Sequence, residues 1–143
     1  MFSQRFGFIL LLVIVLIPGI SLASKGKYNY ISAADLETRL TAELPTNIVD
    51  IQVEGEFSQH HIKGATPTYA YPVKSDADRT KLNTIVEQLK ANTDPVIIVC
   101  PRGAGGAKRT YDHLFQQGIS AERLLILEKG QEGWACAPLT ENR

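Results

Sequence analysis

Sulfur and charge imbalance are what this chain has least of. Its 143 residues hold two cysteines and one methionine, and 15 basic residues are matched by 15 acidic ones. With no basic stripe and no acidic tail, the chain lacks the electrostatic footprint that nucleic acid requires, and that class of partner is excluded. Its three histidines do not make a metal centre. His60 and His61 are adjacent and so point apart, His113 falls on a helix of its own, and no cysteine pair stands beside them. There is no internal repeat, no low-complexity tract and no shift in composition that marks a second domain. Long apolar runs are absent too, except at the start.

That one run, Phe6 to Ile17 broken only by Gly7, follows Arg5 and ends at Pro18-Gly19. Ser21-Leu22-Ala23 then puts small residues at the two positions an export peptidase reads. The pattern predicts an export signal over residues 1–23, cut after Ala23, and a single domain over 24–143 in the periplasm or secreted. The alternative is an uncleaved anchor, since about 20 apolar residues span a bilayer, and only in that case is a membrane a partner. No cysteine follows the run, which argues against a lipid anchor. The remaining 120 residues carry 14 basic and 15 acidic side chains, a net charge of −1, and are enough for one core.

Within that domain, Ser32 and Asp35 have the spacing of a helix cap, with Ile31 placed to staple onto Leu36 and an apolar face of Leu36, Leu40 and Leu44 ending before Pro45. Asn47 to Ile51 reads as a short buried strand, Val53 to His61 as one or two helical turns, and proline-rich Ala65 to Val73 as irregular or a short edge strand. Asp78 to Ala91 is an amphipathic helix with Leu82, Ile85, Val86 and Leu89 on one face. Val96 to Val99 is wholly apolar, as a strand covered on both sides should be. Ala107 to Gln117 reads as a helix turning Tyr111, Leu114 and Phe115 inward and stopping at Gly118. Arg123 to Leu127 is a further strand, and Gln131 to Ala137 a last helical turn or two. Alternating strands and helices predict an α/β domain with an open, mostly parallel sheet and helices on both faces.

In such sheets the functional crevice lies beyond the carboxyl ends of the strands. Ile51-Gln52, Cys100 and Leu127 to Gly130 are three such ends, so they should share one rim. The segment Cys100-Pro-Arg-Gly-Ala-Gly-Gly106 runs from a strand end into a helix start. Loop N–H groups and the positive end of the helix favour negative charge there, which favours the thiolate, the nucleophilic form of cysteine. Cys100 is therefore the candidate nucleophile, and Arg102, Gly103, Ala104, Gly105 and Gly106 the candidate substrate-binding residues. The competing reading makes Cys100 half of a disulfide with Cys136, because exported cysteines tend to pair. Cys136 otherwise reads as a small buried hydrophobe or a resolving thiol. Lys108 and Arg109 oppose the dipole at their helix start, which makes sense beside an anion, and Lys129 is a rim cation or merely exposed. Asp50 at its strand end is an acid, a base or, more simply, a cap on neighbouring loop N–H groups.

The chain resembles a single-domain rhodanese, a sulfurtransferase that carries sulfur as a cysteine persulfide. Ser32 to Leu40 matches the opening helix, and Ile48-Val-Asp50 through Glu56-Phe57 to His61-Ile-Lys-Gly-Ala65 resembles the "D-V-R … E-F/Y … G-H-I-P-G-A" stretch. Val96 to Gly106 stands where the active-site loop belongs, and Leu127-Glu-Lys-Gly130-Gln-Glu-Gly133-Trp134 is similar to the "L-x-G-G-x-x-G-W" ending. The resemblance implies that Cys100 accepts sulfane sulfur from a small anionic donor, thiosulfate or polysulfide, and passes it to a thiol or cyanide-like acceptor, with no cofactor. Gln52, His60, Lys63 and Lys129 depart from the pattern, and Gly105 and Gly106 stand where a loop cation is common. Gly118 falls about one residue late, so an extra residue in the loop would widen the cradle. A cysteine-dependent phosphatase or arsenate reductase on the same fold is a second reading, although a Cys-x5-Arg loop needs arginine where Gly106 stands. A non-enzymatic sulfur or chalcogen delivery module is a third.

Overall fold

Side-chain caps set where the helices begin. In the computed structural model, which describes residues 26–142, the Ser32 hydroxyl accepts the Asp35 N–H and donates to its carboxylate, opening α1 (Ala33–Thr41). Ser75 and Asp78 form a reciprocal capping box. That box starts α3 (Asp76–Lys90) two residues before the position expected from its apolar stripe. The expected staple is present, since Ile31 packs with Leu36 in one apolar cluster.

Five parallel strands form the sheet, in the order β1-β6-β5-β2-β4. They are β1 (Tyr30–Ile31), β2 (Asn47–Asp50), β4 (Thr66–Pro67), β5 (Val96–Val99) and β6 (Leu124–Leu127). β1 had no sequence signal, since two residues are too few to show a period. β3 (His61–Ile62) pairs antiparallel with β7 (Thr140–Glu141) in a separate ribbon. Two further helices, α2 (Glu54–Gln59) and α4 (Gly105–Gln116), complete the element set, with 3-10 turns at Gln131–Gly133 and Ala137–Leu139. Among the described residues no helix is long and apolar enough to cross a membrane. The expected export signal, residues 1–23, lies outside the described residues.

Alternation along β5 divides the core in two. Val96 and Ile98 pack with Leu82, Ile85 and Val86 of α3 and Tyr111 and Leu114 of α4. Ile97 and Val99 pack with Leu36, Ile62 and Trp134 on the other side. Helices on both faces and an all-parallel central sheet are the expected α/β architecture.

Two apolar expectations fail. Phe115 is 54% exposed rather than inward. Ala107, Thr110, Tyr111 and Leu114 fill the buried stripe of α4 at three- and four-residue spacing, and the position after Leu114 is turned about 100° away from it. Leu44 is also exposed. α1 stops at Thr41, and Glu43 adopts a left-handed φ of 53° that turns the chain off the helical track.

Candidate functional site

β5 delivers Cys100 to the carboxyl edge of the sheet, and five residues, 100–104, carry the chain into α4. Cys100 is 1% exposed, and its Sγ accepts a hydrogen bond from the Gly103 N–H at 3.0 Å. Of the several loop amides expected to converge on the sulfur, Gly103 is the one that makes this bond. α4 begins at Gly105, two residues earlier than expected, so Gly105 and Gly106 form its first turn rather than the end of the loop. Ala104 caps that helix without a side-chain hydrogen bond, and the first-turn N–H groups have no intrahelical partners beside the Cys100 loop.

The loop is held by backbone packed on backbone. The Gln131 N–H donates to the Cys100 carbonyl at 2.8 Å, and the Glu132 N–H to the Pro101 carbonyl at 3.0 Å. Approach this close requires glycine on both sides. Gly103 has φ +69°, and a Cβ there would sit 2.7–2.9 Å from backbone atoms of Leu127, Lys129 and Gly130. Gly130 has φ +56°, and its Cβ would stand 2.1 Å from the Cys100 carbonyl oxygen. The expected shared rim of Cys100 and Leu127 to Gly130 is thus a direct contact.

Arg102 is the cation of this loop. Its Nη1 lies 3.5 Å from Glu132 Oε1. Hydrogen bonding by the Tyr71 side chain, and then the Glu132 charge, push its guanidinium further above the ordinary arginine range. The Tyr71 ring lies against Gly106, where a Cβ would come within 3.1 Å of Tyr71 and 3.2 Å of the Ile51 Cδ1. Neither Tyr71 nor Glu132 was marked by the sequence. The Gly-x-x-Gly-Trp stretch drew attention to glycines, and Tyr71 sits in the proline-rich segment that had no regular period.

The other basic candidates make contacts of their own. Arg109 donates from Nε and Nη2 to the Pro72 carbonyl, at 3.0 and 2.8 Å. Lys108 Nζ sits 5.5 Å from the centroid of the Tyr28 ring. Lys129 has φ +60°, and its Cβ and Cδ run along Gly133.

Asp50 caps its own strand end. Its Oδ1 accepts the Gln52 N–H at 2.8 Å, and its Oδ2 accepts from Gln52 Nε2 at 3.0 Å. Burial pushes its carboxyl up to about 6, against the opposing pull of the Gln52 bonds. Gln52 stands where the resemblance leads one to expect arginine, so the donor on this carboxylate is neutral. The histidines serve structural contacts. His61 Nδ1 pairs with the Phe57 carbonyl at 2.8 Å and its ring stacks on Phe57 at 3.8 Å. His113 Nε2 pairs with Asn83 Oδ1 at 2.8 Å. Among the described residues no group of three histidine, cysteine or carboxylate side chains is placed to hold a metal ion.

Cys100 and Cys136 are both free thiols. Cys100 packs in the cluster shared with α3 and α4, while Cys136 borders the cluster on the α1 side. The sheet lies between them, so the alternative of an internal disulfide is not realised. Burial, followed by a hydrogen bond to Glu37, raises the Cys136 thiol above its ordinary range.

The sequence profile of the rhodanese-like domain matches residues 32–137. The chain belongs to that family. None of the curated proteins compared with it matches, but solved structures do. A rhodanese-like domain protein from Staphylococcus aureus is 25% identical over 80% of this chain and 98% of its own, with a TM-score of 0.57. A thiosulfate sulfurtransferase from Pseudomonas aeruginosa is 21% identical over 81% of this chain and 20% of its own, with a TM-score of 0.62. An As-Sb reductase from Leishmania major shares the fold at 12% identity, with a TM-score of 0.62 over 81% of this chain and 86% of its own. In this rhodanese-like domain the matched segment contains the whole Cys100 loop and the Leu127–Trp134 stretch packed against it.

Proposed function

We propose that this rhodanese-like domain is an exported sulfurtransferase that carries sulfane sulfur on Cys100. The observation that carries the reading is the Cys100 loop. One nearly enclosed sulfur accepts an amide hydrogen bond at 3.0 Å, at the foot of a helix with no side-chain cap, and an arginine stands two residues on. In thiosulfate the outer sulfur is bonded to a sulfonate. The ionised Cys100 sulfur attacks it, the S–S bond of the donor breaks, and sulfite leaves with the bonding pair. The charge of the resulting persulfide lies on its outer sulfur, where loop dipoles stabilise it. An acceptor thiolate or cyanide then attacks that outer sulfur and restores Cys100. No cofactor takes part. The apolar run and the Ser21-Leu22-Ala23 ending support the export part of this reading, with the mature domain in the periplasm or outside the cell.

The test is intact mass under non-reducing conditions after incubation with thiosulfate. One added sulfur on Cys100, removed by cyanide as thiocyanate, is expected, and equal loading of Cys100→Ser overturns the mechanism. The oxyanion-enzyme reading is disfavoured by the packing at Gly106. A Cys-x5-Arg loop needs a long cationic side chain there, and the Tyr71 ring leaves room for a Cβ only by moving. Hydrolysis of p-nitrophenyl phosphate that depends on Cys100 would reverse that ranking. Loading without turnover to any small acceptor would favour a delivery role.

A further inference from the structure

The cation of the Cys100 loop is already partnered. Arg102 and Glu132 are both about two-thirds exposed, at 63% and 64%, and their charged groups are 3.5 Å apart. The Glu132 backbone is held beside the loop, because its N–H is bonded to the Pro101 carbonyl. Tyr71 is seated against Gly106, just beyond the same loop. Of the other cations, Arg109 donates Nε and Nη2 to the neutral Pro72 carbonyl and keeps its charge, with Nη1 beside Gly105, so Arg102 is the one whose charge a carboxylate faces. An incoming anion therefore meets an arginine whose charge is offset by a carboxylate set opposite it.

We propose that Glu132 is the specificity-determining residue of this site, pairing with Arg102 so that the loop takes sulfur from low-charge hydropersulfide donors in preference to the thiosulfate dianion. The inference rests on the sulfurtransferase reading and refines its substrate class. Each transfer balances. The Cys100 thiolate and RS–SH give the Cys100 persulfide anion and RSH, the proton moving to the departing thiol sulfur. The same thiolate and thiosulfate give the persulfide anion and sulfite, two negative charges leaving with the sulfonate. A dianion feels the offsetting carboxylate twice as strongly as a monoanion and far more than a neutral donor.

The experiment measures the loading rate of the full chain with thiosulfate and with the persulfide of 2-mercaptoethanol, formed in situ. Glu132→Gln is expected to raise the thiosulfate-to-persulfide ratio of kcat/KM about five-fold at low salt, a modest figure because the pair is exposed and screened. The change should fall on KM for thiosulfate and shrink as salt is added. Arg102→Gln should move the ratio the other way, and the double variant should return it toward the wild-type value. An unmoved ratio with wild-type loading intact, or equal changes with both donors, overturns this assignment while leaving the sulfurtransferase reading standing. A wild-type protein that takes sulfur from neither donor overturns both.

Discussion

Replacing Gly130 by alanine puts a methyl group 2.1 Å from the Cys100 carbonyl oxygen, 2.5 Å from the Gly103 nitrogen and 2.8 Å from the Arg102 nitrogen. All three are backbone atoms, so no side chain can swing aside. The backbone at Gly130, φ 56° and ψ −149°, lies in territory that costs a non-glycine residue about 1–3 kcal/mol. Moving one loop away from the other adds about 1–3 kcal/mol of overpacking. Together these reach about 2–6 kcal/mol, a large share of the ~5–15 kcal/mol that holds a domain of this size folded. Gly64→Ala is the control. Its φ is +79°, but nothing lies within 4 Å of the added Cβ, so it should lose only about 1–2 kcal/mol of backbone strain. Thermal unfolding by circular dichroism, with sulfur loading from thiosulfate measured on the same samples, separates the two. Gly130→Ala should lose about 6 °C of Tm or more, at about 3–6 °C per kcal/mol, and its surviving folded fraction should load poorly because the Gly103 N–H has moved. Gly64→Ala should lose less Tm and load normally. Equal losses for the two variants, or a Gly130→Ala protein that loads at the wild-type rate, would refute the claim that backbone contact shapes the sulfur site.

Two other substitutions probe buried polar groups. Asp50 has a folded pKa of about 6 against an ordinary 3.8, so ionising it costs the folded state more than the unfolded one. Stability should rise as pH falls from 7.5 to 5, by roughly 1–1.5 kcal/mol. His113, held below its ordinary range by burial and then Arg79, pulls the opposite way in acid, so the measured quantity is the difference between wild type and Asp50→Asn in urea denaturation. A difference that does not change with pH would sink the assignment. Gln131 is buried with neither polar atom of its amide hydrogen-bonded among the described residues, while its backbone N–H still serves the Cys100 carbonyl. Gln131→Met should therefore stabilise the domain by about 1–3 kcal/mol, seen as a higher Tm, and a lower Tm would contradict it.

The parts of the fold that were legible from the sequence are those that local chemistry decides. Ser32 with Asp35, the stripe from Leu82 to Leu89, and the apolar run before Cys100 each carry their structural instruction within a few residues. Phe115 was misjudged because it lies beside the buried stripe of α4 rather than on it, and Leu44 because α1 ends before it. The position of Cys100 at the end of a buried strand was readable, as was the glycine-rich character of its loop. What packs on that loop was not. Tyr71 reaches Gly106 across 35 positions of sequence, and Gly130 meets Cys100 across 30, so their meaning arises only when the strands are assembled. Arg109 likewise makes a contact that its position at a helix start does not reveal, its Nε and Nη2 donating to the Pro72 carbonyl 37 positions away.

The sheet between the two cysteines also decides how the molecule meets oxidants. A sulfenic acid formed on Cys100 would find no second thiol of its own chain within reach, since Cys136 faces the opposite layer. Such damage is not self-repairing by ring closure, and recovery must come from a reductant in the surroundings, with overoxidation as the penalty for delay.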